Sequence, residues 1–123
     1  MSAGINIEQR SIILISFPYT DLSGAKKRPS LVLSSLEFNM KSEDVICCLI
    51  TSNPDDIQHA IKISNRDLEK GYLEFESKVK PYRIFTVNRK LIYKVLGKLN
   101  LSKSKSIVEE INKIINIKQN ASS

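Results

Sequence analysis

The apolar residues of this chain come in short β-branched runs, each stopped by proline, glycine or a cluster of turn formers, and only near the C-terminus do they recur with helical spacing. Runs of this length build the strands of a small sheet, because buried helices need longer periodic stretches. The longest run, Val45-Ile46-Cys47-Cys48-Leu49-Ile50, falls far short of the roughly 20 residues of a membrane span, so a transmembrane protein is not expected. Met1 to Arg10 shows no basic region followed by an apolar one, which argues against a secretory signal and predicts a cytoplasmic protein without membrane contact.

Ile12 to Phe17 reads as a first strand, closed by Pro18, which cannot continue a central ladder. Tyr19 to Lys27 collects turn formers, a glycine and a basic pair, and Pro29 forces Arg28 into an extended conformation. That loop returns into a second strand, Pro29 to Ser34, and Asp44 to Thr51 is a third, apolar enough to be buried on both sides. Ser52 to Asp56 is a turn, and His59 to Ser64 alternates like a strand with one wet face. Asn65 to Lys70 reads as a loop or single helical turn ending at Gly71. Leu73 to Glu76 and Ser77 to Lys80 read as strand ending at Pro81, with Arg83 to Val87 after it and Val95 to Lys98 beyond. Ile107, Val108, Ile111, Ile114 and Ile115 fall on one helical face, with Ser102 or Ser106 as the cap. The pattern predicts a mainly β chain with a C-terminal helix, a small antiparallel barrel closed at one end by that helix. At 123 residues it fits a single domain spanning 1–123, with a core at about 10–117 and a fraying tail at 118–123.

Most catalytic kits are absent. A single histidine, His59, rules out a two-histidine acid/base pair within one chain, and it reads as a surface residue before a catalytic base. Cys47 and Cys48 point to opposite faces of a strand, cannot readily bridge, and with one histidine make no closed zinc site, so no metal or other cofactor is expected. Glu74 and Glu76 are two apart, as an acid/base pair or as ordinary surface acids. Charge is uneven: nine bases and no acid lie between Lys78 and Lys105, within a net charge of +6. Such a stretch attracts a polyanion such as nucleic acid, or is simply a solvated lysine-rich face. The loop from Phe17 to Pro29 has two aromatics at its base and Lys26-Lys27-Arg28 at its end, residue types that stack unpaired bases and grip phosphate, although an exposed hairpin loop has the same look. Arg28 offers a planar fork of donors that suits a phosphate better than a mobile lysine.

Ile12 to Asp21, Lys26 to Ser34, Leu49-Ile50-Thr51-Ser52, Gly71-Tyr72-Leu73 with Glu76-Ser77, and Leu96-Gly97-Lys98-Leu99 resemble, in order and spacing, the MazF/PemK family of toxin endoribonucleases, from about Ser11 to Ile115. Two departures stand out: Arg10-Ser11 replaces the family's usual Gly-Asp before the first strand, and Tyr82 stands near a position that is often acidic. The resemblance implies an SH3-like barrel of the PemK/CcdB type, a homodimer that cuts single-stranded RNA such as mRNA without metal and is neutralised by a cognate antitoxin. It implies Arg28 and Thr51 as catalytic, with Ser52 beside them. Phe17, Pro18, Tyr19, Thr20, Asp21, Lys26 and Lys27 then belong to a loop covering the RNA. The charge map adds Lys78, Lys80 and Arg83 to the RNA-binding set and predicts an acidic antitoxin segment that displaces the Tyr19 to Lys27 loop. Within the same fold, a non-catalytic protein-binding toxin of the gyrase-poison type and an inactive RNA-binding homologue are the alternatives.

Overall fold

The computed structural model describes residues 6–17 and 26–119. Its elements in chain order are β1 (Ser11–Phe17), β2 (Lys26–Val32), α1 (Leu36–Lys41), β3 (Asp44–Thr51), β4 (Ile61–Ile63), β5 (Leu68–Gly71), β6 (Ser77–Asn88), β7 (Ile92–Leu99) and α2 (Leu101–Ile115). Among the described residues, seven strands form one curled antiparallel sheet in the order β4-β6-β3-β2-β1-β7-β5, the mainly β architecture with a C-terminal helix expected from the pattern. No helix among the described residues is long and apolar enough to cross a membrane.

Strand alternation divides the core in two. Cys48 and Ile50 of β3 join Ile12, Leu31, Val79 and Leu99 in one cluster, covered by Ile107 and Ile111 of α2. Val45 and Cys47, one residue out of phase, join Ile13, Ile15, Val32 and Val87 on the other face. The two cysteines are therefore free, buried and on opposite faces, and burial pushes both thiols up to about 12. Val108, Ile114 and Ile115 of the helical stripe stay exposed, so α2 covers the core with only part of its apolar face.

Several boundaries differ from the expected ones. The second strand runs over Lys26–Val32, shifted from Pro29 to Ser34, because Ser34 turns the chain: its hydroxyl accepts the Ile46 N–H (3.0 Å) and donates to Asn39. Pro29 is tolerated inside β2 since pairing with β3 starts only at Ser30. The short helix α1 lies between two expected strands where the apolar pattern predicts no element, and Ser35 caps it by accepting the Phe38 N–H at 3.1 Å. Leu73 to Glu76 is not a strand, since the Asn65 side chain takes both backbone groups of Leu73 (2.6 and 3.0 Å). In β6 the chain continues through Pro81 by a bulge, in which Lys80 faces Leu49 and Ile84 faces Cys48. Helix α2 is capped by Asn100, whose side chain accepts the Lys103 N–H at 2.8 Å, and not by Ser102 or Ser106.

Asn65 to Lys70 divides into a 3₁₀ turn and the edge strand β5, whose Gly71 faces Gly97 of β7. Arg10, which stands where the resemblance leads one to expect glycine, has φ of 75°. Its left-handed backbone is held by an N–H to Val32 O bond (3.0 Å) and by its carbonyl, which accepts the Leu99 N–H (2.9 Å). The guanidinium adds bonds to Leu99 O (2.8 Å) and Glu69 (3.0 Å).

Candidate functional site

Register assembles the site. Opposed residues of paired strands share a face, and Ile15 faces Arg28, Ser30 faces Leu49, and Leu49 faces Lys80. Arg28, two residues from Ser30 on β2, therefore stands on the same face as Leu49 and Lys80. The β2–β3 pairing ends at Ser30↔Leu49, so Arg28 and Thr51 each lie two residues beyond the last pair. An open cavity of about 620 Å³ lies here, with Arg28, Lys80 and Arg83 in its lining beside Leu49, Ile84, Phe85 and Thr86. Among the described residues, three cations and no carboxylate line it, so it attracts anions, and its apolar wall strengthens charge interactions by displacing water.

The other expected residues do not line this cavity. The Thr51 hydroxyl accepts the Asn53 N–H at 3.1 Å, which holds its oxygen at the end of β3 and leaves its proton to donate elsewhere. Ser52, the next residue, turns into a second cavity of about 630 Å³, lined by Lys62, Arg66 and Lys103 but also by Asp56, Asp67 and Glu76. Lys78 lines that second cavity too, and its ammonium donates to the carbonyls of Pro54 (3.2 Å) and Asp55, tying down the turn after β3. Lys27 lies over the Tyr93 ring, 4.5 Å from its centre. Phe17 and Lys26 form the last pair of the β1–β2 ladder, and Pro18, Tyr19, Thr20 and Asp21 lie outside the described residues.

The basic stretch does not act as one face. Lys98 bonds Glu8 at 2.9 Å, Lys103 approaches Asp67 at 3.9 Å, and Arg89 donates to the carbonyl of Asn39. Lys80 and Arg83 are the members that reach the cavity beside Arg28. His59, at φ 68°, sits at the surface with Nδ1 2.9 Å from Glu110 of α2. Glu74 and Glu76 are exposed in the irregular segment before β6 and do not share a strand face. Among the described residues, no group of three His, Cys, Asp or Glu side chains converges as a metal site. Ile84 and Phe85 in the apolar wall have no sequence signal as site residues, since they reach the cavity just after the bulge in β6.

A family model described as PemK-like, MazF-like toxin of type II toxin-antitoxin system matches residues 8–115. Among curated proteins, the sequence comparison finds no match. Solved structures share the fold at low identity. A MazE-MazF structure (Form-III) from Deinococcus radiodurans aligns with TM-score 0.75 and 15% identity, over 93% of this chain and 100% of the other. A mycobacterial endoribonuclease in complex with its cognate antitoxin aligns with TM-score 0.71 and 16% identity, over 98% and 100%. The Mycobacterium tuberculosis toxin MazF-mt6 aligns with TM-score 0.68 and 18% identity, over 89% and 100%.

Proposed function

The chain belongs to the PemK-like, MazF-like toxins of type II toxin-antitoxin systems, and from that membership we propose that it is an endoribonuclease cutting single-stranded RNA, with the scissile phosphate in the cavity at Arg28. The observation that carries the reading is the grouping of Arg28, Lys80 and Arg83 in one cavity whose described lining has no carboxylate. The RNA supplies its own nucleophile. Its 2′-oxygen bonds to the adjacent phosphorus, the bond to the 5′-oxygen breaks, and the proton given up by the 2′-hydroxyl is balanced by one delivered to the leaving oxygen. The products are a 2′,3′-cyclic phosphate and a 5′-hydroxyl.

Such a reaction asks the protein for alignment and charge stabilisation. The Arg28 guanidinium, charged throughout, donates to the non-bridging oxygens as negative charge builds on them. The Thr51 hydroxyl, its oxygen accepting the Asn53 N–H, donates a hydrogen bond to the same phosphate. Lys80 and Arg83 hold the flanking backbone. The relatives solved with MazE or a cognate antitoxin support an antitoxin partner for this chain, and an acidic segment of it suits the same cationic cavity. The exposed Val108 and Ile115 on α2 support association into a homodimer.

The test is to incubate the purified protein with a long single-stranded RNA in the presence of a chelator and to map the new ends. Internal cuts with 5′-hydroxyl ends are expected. Arg28→Ala should lower the rate by about 10²–10³-fold with unchanged thermal melting, and Arg28→Lys should recover little because the fork is lost. An Arg28→Ala protein cutting at the wild-type rate, 5′-phosphate ends, or activity abolished by the chelator would overturn the mechanism. Failure of the wild-type protein to cut any RNA would favour a protein-binding toxin.

A further inference from the structure

The bulge in β6 does more than admit a proline. Because Lys80 faces Leu49 while Ile84 faces the adjacent Cys48, the intervening Pro81, Tyr82 and Arg83 have no opposite residue on β3. Pro81 is fully buried and anchors the bulge, whereas Tyr82 is 43% exposed. On either side of it, Lys80 and Arg83 line the cavity shared with Arg28. Tyr82 itself is not among the residues lining that cavity, but it stands next in the chain to Arg83 and two residues from Lys80, on a strand irregularity of the kind that re-aims side chains beside functional sites. Ile84, which lines the cavity, is also exposed and extends the apolar ledge. An aromatic face between two cations suits an unpaired base whose flanking phosphates the cations hold.

We propose that Tyr82 is a base-stacking platform that seats a nucleobase next to the phosphate held by Arg28, and thereby sets which phosphodiester of a single strand enters the cavity. The inference rests on the ribonuclease reading and names a positioning residue for it.

The test uses a short RNA carrying the mapped cleavage site, with a 2′-deoxy substitution at that site to block cutting and 2-aminopurine placed at each flanking position in turn. Wild type and Tyr82→Phe should quench the fluorophore at one position and bind with equal affinity. Tyr82→Ala should lose that quenching and weaken binding by about 5- to 150-fold. On cleavable RNA, KM should rise for Tyr82→Ala with kcat changed less, and the cut sites should become less uniform. Unchanged affinity and quenching in Tyr82→Ala, with wild-type cleavage intact, overturns the stacking role alone. A Tyr82→Ala protein that becomes monomeric, or that loses antitoxin binding while holding RNA normally, overturns it in favour of a protein contact. A wild type that cuts no RNA removes the underlying ribonuclease reading and this inference with it.

Discussion

Gly97→Ala should destabilise the protein by a predictable amount without touching the cationic cavity. Gly97 on β7 faces Gly71 on β5, and a Cβ added at Gly97 would lie 2.6 Å from the carbonyl oxygen of Lys70 and 3.1 Å from the Cα of Gly71. Both obstacles are backbone, so no side chain can swing aside. Restoring ordinary contact at 3.4 Å moves β5 outward by roughly 0.8 Å, enough to take hydrogen bonds of about 2.9 Å out of bonding range. Overpacking of this kind costs about 1–3 kcal/mol. For a chain of this length, a central cost of about 2 kcal/mol lowers Tm by roughly 6–10 °C. Gly71→Ala should cost more: its Cβ would meet Leu96 O at 2.2 Å, and its φ of 89° is one that an L-residue resists by a further ~1–2 kcal/mol. Thermal melting followed by circular dichroism reads both. Because β5 and β7 lie at the other end of the sheet from β3 and β6, Gly97→Ala should cut RNA at the wild-type rate at temperatures where it is folded. A Gly97→Ala melting point within about 1 °C of wild type, or Gly71→Ala more stable than Gly97→Ala, would refute the steric reasoning.

Two further outcomes follow from buried and paired groups. Ser30 is fully buried opposite Ile13 and Leu49, and its hydroxyl has no hydrogen-bond partner among the described residues, so Ser30→Ala should raise stability by about 1 kcal/mol; a lower melting point would refute this. The Lys98 ammonium holds the Glu8 carboxyl below the usual range, through its hydrogen bond first and its charge second, and the Arg10 guanidinium does the same for Glu69. Folded values below unfolded ones mean that these pairs stabilise above about pH 4.3 and are lost as pH falls through the lowered folded values. Melting between pH 6 and pH 3 should therefore fall less steeply in Lys98→Met than in wild type, and parallel curves would show that the Glu8 pair contributes nothing.

How much was legible differs by element. The strand Asp44–Thr51 is readable to the residue, because a β-branched run between polar ends signals itself locally. So is the helical stripe of α2, although its cap is not: Asn100, Ser102 and Ser106 are all competent caps, and only Asn100 takes the N–H. The edge strand β5 has no alternation of its own and exists because Gly71 can approach Gly97. Those two glycines belong to the segments that carried the family resemblance, so part of that likeness records backbone packing and not chemistry. The sequence also names Arg28, Thr51, Lys78, Lys80 and Arg83 as candidates on residue type and likeness, without telling which of them share a cavity. Tertiary structure decides that, through the strand pairing and the β6 bulge that bring Lys80 and Arg83 into one cavity with Arg28 and leave Thr51 and Lys78 out of its lining. It also assigns Lys78, Lys98 and Lys103 to carbonyls and carboxylates of the scaffold. Propensity and periodicity are properties of neighbours in the chain, whereas a binding site is set by the pairing of distant segments, where a shift of one residue sends every side chain to the other face.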